Sequence, residues 1–142
     1  GDYPFAHRLR VRFAETDAMG IVHHSRYLPY LEEARVAYLR HLGHPYTEWR
    51  ADGLEAAVLE CWMQYRQPLR FDDVVMVHAN LAAITRTTFQ MAYLLTAATG
   101  ELVDGDPSTP FDVRAVGVTV HGATTDGRPT RLPEWLVDLA GG

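Results

Sequence analysis

One stretch with helical periodicity stands alone ahead of several that alternate, and this order restricts the fold more than any other feature. From about Ser25 to Leu42, Leu28, Leu31, Arg35, Tyr38, Leu39 and Leu42 recur three or four apart, the spacing of a helix with one buried stripe. About five turns are expected, with Pro29 in the first turn or so and Gly43 as the stop. Ahead of it, His7 to Ala14 alternates, with Leu9, Val11 and Phe13 expected on a dry face and Arg8, Arg10 and Arg12 on a wet one.

After the helix the period stays at two. Leu59, Cys61, Met63 and Tyr65 predict one strand, Val75, Val77, Ala79 and Leu81 a second, and Phe89, Met91, Tyr93 and Leu95 a third. A last strand is expected from Asp112 to His121, with Val116, Val118 and Val120 opposite Ala115, Gly117 and Thr119. Pro68, Asp72 and Asp73, then Arg86, then Gly100 and the segment 104–110 mark the turns. Tyr46 to Ala51 predicts a short helical turn, and Leu132 to Leu139 a short C-terminal helix. Strands in a row need only short connections, so the sheet is mainly antiparallel. The one long helix must bury its stripe against that sheet, which makes the fold class α+β.

The 142 residues suit one domain, 1–142. A lone cysteine, Cys61, leaves no intramolecular disulfide to build and favours a reducing cytoplasm. No stretch approaches the ~20 apolar residues of a membrane span, so no insertion is expected. A net charge of -5 argues against nucleic acid as a partner.

The segment from Glu15 through Asp17 and Gly20 to Ile21, Val22, His23 and His24 leads directly into the long helix. It places a carboxylate a few residues before a helix start, where unpaired backbone N–H groups suit a developing negative charge. A thioester carbonyl held there would be polarised, and Asp17 could attack it or activate water. Spacing alone equally allows Asp17 to be a turn or capping residue. His24 could simply be a solvated histidine. The His23–His24 pair is a poor metal site, and the other histidines lack ligand spacing, so no metal or other cofactor is called for.

Asp17, Ala18, Met19, Gly20, Ile21, Val22, His23, His24 and Tyr27, continuing through Tyr30, Glu33, Ala34 and Arg35, resemble the signature of the 4-hydroxybenzoyl-CoA thioesterase family, YbgC-type acyl-CoA thioesterases included. The resemblance extends to Tyr65–Pro68 with Phe71–Asp73, to Thr85–Phe89, and to Val120–Pro133. It implies a hotdog fold, a helix wrapped by a curved sheet, and hydrolysis of an acyl-coenzyme A. Asp17 would be nucleophile or general base, and a backbone N–H near His24 the oxyanion donor, with the His24 side chain assisting. Gly20, Ile21, Val22 and Tyr27 would shape the pocket, while Arg86, Thr87, Thr88 and Arg128 are candidates for coenzyme A. A homodimer or homotetramer is implied. Two departures stand out: Phe13 replaces a frequent Tyr, and the stretch 104–110 is irregular.

Two other classes remain open at this level. A non-catalytic acyl-CoA-binding module would bind without turnover, and a hotdog dehydratase or hydratase would pair a histidine with an acid, as His24 with Glu32 or Glu33 superficially does.

Overall fold

The computed structural model describes residues 5–98 and 112–141. Strand β1 (Phe5–Arg10) is followed by two 3-10 turns, Phe13–Glu15 and His24–Arg26, and the second runs into helix α1 (Tyr27–His41). Helix α2 (Tyr46–Ala51) then precedes β2 (Glu55–Tyr65), β3 (Val74–Ile84), β4 (Thr88–Ala98), β5 (Asp112–Thr125), the two-residue β6 (Arg128–Pro129) and α3 (Glu134–Gly141). The strands pair antiparallel in the order β1-β3-β4-β5-β2, with β6 added to β5.

The stripe of α1 falls on the inner face of this sheet. Tyr27, Tyr30, Leu31, Ala34, Tyr38 and Leu39 are buried together with Val75, Val77 and Ala79 of β3, Tyr93 and Leu95 of β4, and Ala115 of β5. Each large aliphatic side chain so buried contributes roughly 1.5–3 kcal/mol. One helix lying on one curled antiparallel sheet is the hotdog arrangement.

Strand β5 turns its small residues inward. Ala115 and Thr119 are buried, whereas Val116, Val118 and Val120 are only partly covered. A Cβ placed on Gly117 would lie 2.6 Å from Met63 Sδ and 3.4 Å from Leu31 Cδ1. The glycine therefore leaves the notch in which helix and β2 side chains meet.

The first strand ends earlier than the alternation predicts. Val11 N–H still donates to Asp73 O, but Arg12 N–H donates to the Glu15 carboxylate at 2.8 Å and the chain winds into the 13–15 turn. Phe13, expected on the dry face, is consequently 76% exposed and rests edge-on against Phe71. The predicted features at Gly100 and 104–110 lie outside the described residues.

Candidate active site

The chain between Glu15 and Tyr27 is held by its own backbone. Asp17 N–H donates to Ile21 O and Gly20 N–H to Asp17 O, closing a turn over residues 17–21. Gly20 sits at φ +78, a conformation in which a side chain would be strained. The outer edge is tied to the segment after β2: Val22 N–H reaches Leu69 O at 2.8 Å, and Ile21 bridges to Arg70.

Within this turn the two carboxylate oxygens of Asp17 differ. Oδ1 accepts from Met19 N–H at 2.8 Å and from Ile21 N–H at 3.4 Å. Oδ2 has no hydrogen-bond partner among the described residues. The structural and chemical readings of Asp17 are thus compatible, since one oxygen holds the turn and leaves the other free.

The helix start is equally asymmetric. Val22, His23, Ser25 and Arg26 N–H donate to Leu69 O, Glu15 O, His23 Nδ1 and His23 O, respectively. His24 N–H has no acceptor among the described residues. The His23 ring caps the first turn, with Nδ1 also 2.8 Å from Ser25 Oγ, and lies 4.1 Å from the His24 ring, centroid to centroid.

These groups open on one cavity of about 370 Å³, lined by Asp17, Ile21, Val22, His23, His24 and Tyr27 on one side and by Tyr65, Arg66, Gln67 and Pro68 on the other. The Tyr27 and Tyr65 rings meet edge to face at 4.8 Å, and burial pushes the Tyr27 phenol up from its usual range. The wall at 65–68 is carried by Arg114 of β5. Its carbonyl accepts from Arg66 and Gln67 N–H, and its buried guanidinium donates to Pro68 O at 2.6 Å and lies 3.5 Å from Asp73 Oδ2.

Of the residues singled out from sequence, Asp17, Ile21, Val22, His24 and Tyr27 line this cavity. Gly20 does not line it, and its contribution is the turn. Arg86 and Thr87 lie in the β3–β4 connection, with Thr88 opening β4, and Arg128 lies in β6. These four cluster at the end of β5 near Gly122 and Thr125, whereas Tyr65 pairs with Ala115 at the other end. Seven residues of strand, roughly 23 Å, separate Ala115 from Gly122. Sequence reading missed His23 as a lining residue and Tyr65 to Pro68 as the opposing wall, although the latter stood within the stretch of family resemblance. Neither Glu32 nor Glu33 lines the cavity with His24, and Glu33 instead meets His7 at 2.8 Å.

The model of the thioesterase-like superfamily matches residues 11–139. A putative esterase of Aquifex aeolicus is 50% identical over 92 residues, 65% of this chain and 72% of the relative. The acyl-CoA thioesterase YbgC of Haemophilus influenzae is 33% identical over 88 residues, 61% of this chain and 65% of the relative. The crystal structure of a hypothetical protein of Aquifex aeolicus, AQ1494, superposes with a TM-score of 0.82 at 38% identity, covering 96% of this chain and 98% of that one. With a match over most of its length, and with Asp17 and His24 lining one cavity at the helix start, the chain belongs to the thioesterase-like superfamily.

Proposed function

We propose that this protein hydrolyses an acyl-coenzyme A to the free acid and coenzyme A, with Asp17 as nucleophile or general base. The reading is carried by one observation: Asp17 Oδ2 and His24 N–H, both without partners among the described residues, belong to residues lining the same cavity. As general base, Oδ2 takes a proton from a water whose oxygen attacks the thioester carbon. As nucleophile, Oδ2 attacks that carbon itself and water then cleaves the mixed anhydride. In either route the carbonyl oxygen becomes an oxyanion, and His24 N–H donates to it. Collapse breaks the carbon–sulfur bond and the thiolate takes up a proton, for which the His24 ring is a suitable carrier.

The working unit is a homodimer joined through β2, or a homotetramer made of two such dimers. This strand lies at the sheet edge and exposes Val58, Leu59, Trp62 and Tyr65, a combination that invites pairing with another chain. Antiparallel pairing of two β2 strands would bring the partner's far end to this cavity, and with it Arg86, Thr87, Thr88 and Arg128 as ligands for the phosphates of coenzyme A.

A thiol-release screen over short, long and aromatic acyl-CoA substrates tests the proposal, with Asp17→Asn as control. The expected result is turnover of at least one substrate and a loss on the order of several hundredfold in the variant. Full activity in Asp17→Asn would remove this carboxylate from the chemistry.

A further inference from the structure

We propose that Glu15 is a positioning residue: a buried carboxylate that, through Tyr30 of α1, holds both halves of the Asp17 loop in register with the helix. The inference rests on the catalytic reading above and concerns a residue that does not line the cavity.

Glu15 is 8% exposed, and its oxygens have three protein donors. Oε1 accepts from Arg12 N–H and from Tyr30 Oη, both at 2.8 Å, and Oε2 lies 3.4 Å from the Arg12 guanidinium. Its main chain does a separate task, because Glu15 O accepts from His23 N–H at 3.1 Å. One residue therefore joins the incoming chain at Arg12, the outgoing chain at His23 and the second turn of the helix at Tyr30. Asp17 lies two residues beyond this junction, and the unpaired His24 N–H one residue beyond His23.

The Tyr30 end of the junction stays protonated. Burial first, and then the neighbouring Glu15 carboxylate, push the Tyr30 phenol far above its usual range, so the hydroxyl remains a donor at any working pH. Tyr30 is itself buried in the core, packed edge-on against Tyr27. The loop thus takes its position from a buried residue of the helix.

A group acting on the placement of an oxyanion donor affects the transition state more than substrate binding. Small misplacements at a reacting centre cost up to ~10²-fold. Three variants, Tyr30→Phe, Glu15→Gln and Glu15→Ala, should therefore lower kcat by about tenfold, about tenfold and on the order of 10²-fold, with KM within about twofold. Partial retention by Glu15→Gln is expected because its carbonyl oxygen can still accept from one donor.

Amide hydrogen exchange gives a readout independent of turnover. His23 N–H should lose protection in all three variants, while Leu39 N–H in α1 keeps its own. Unchanged kcat with only a lower melting temperature would overturn the inference, as would raised KM at constant kcat or unchanged His23 exchange. Activity persisting in Asp17→Asn would instead sink the catalytic reading, and His23 exchange would still decide whether Glu15 holds the loop.

Discussion

Two buried polar residues in the core have no part in the cavity, and they predict how the protein responds to acid. His121 is fully buried, stacks on Phe89 at 4.8 Å and approaches Thr119 Oγ1 at 2.7 Å. Arg35 Nη1 lies 3.3 Å from both ring nitrogens, and no carboxylate pairs with Arg35 among the described residues. Burial, and then the Arg35 charge, push the His121 imidazole down to about 3. Its folded value is therefore below the unfolded one near ~6.5. The unfolded chain binds more protons between these values, so stability is complete above the upper one and is lost as pH falls toward the lower. The loss should amount to about 1.4 kcal/mol for each pH unit below ~6. Denaturant titrations at pH 7.5 and 5 should show it, and a His121→Gln variant should show a flatter dependence.

At the scale of elements, the packing of the β2 side chain Met63 over β5 depends on one missing side chain. Gly117→Ala would drive a Cβ to 2.6 Å from Met63 Sδ, and the thioether, as the end of a flexible side chain, must give way. A cost of about 1–3 kcal/mol is expected in urea unfolding. Met63→Ala in the same chain should recover part of it, a positive coupling in a double-mutant cycle. This contact also marks where sequence patterning stops being informative. Alternation located β5 but could not say which of its faces turns inward, because the valines are the more hydrophobic set and yet the small set is the buried one. Period-two reading likewise carried the first strand through Phe13, since nothing in the alternation registers the long-range bond from Val11 to Asp73 or the cap formed by Glu15. The stretch from Asp17 to Tyr27 was legible because the turn over 17–21 and the His23 cap are built from neighbours in sequence, even though Val22 is also tied to the distant Leu69. The opposing wall was not, because Tyr65 to Pro68 is held by Arg114, some fifty residues further along the chain.

For the whole molecule, the β2 edge, unpaired among the described residues, is where the proposed dimer would form. Leu59 and Trp62 are 56% and 54% exposed, an apolar stretch that a solitary chain would leave in water. A Leu59→Glu, Trp62→Glu double variant should sediment as a monomer and lose most turnover while its helix content stays intact. Retention of the wild-type mass would direct the search for the interface to another face. Among the described residues no helix is long and apolar enough to cross a membrane. On the proposed function, reaction and substrate recognition would reside on separate stretches of polypeptide. The turn that presents Asp17 closes within five residues, whereas the wall facing it is held by an arginine of a distant strand. On that reading, exchanging Tyr65, Arg66 or Gln67 should shift acyl preference while the turn that carries Asp17 keeps its form, so this scaffold would let diet drift without loss of craft.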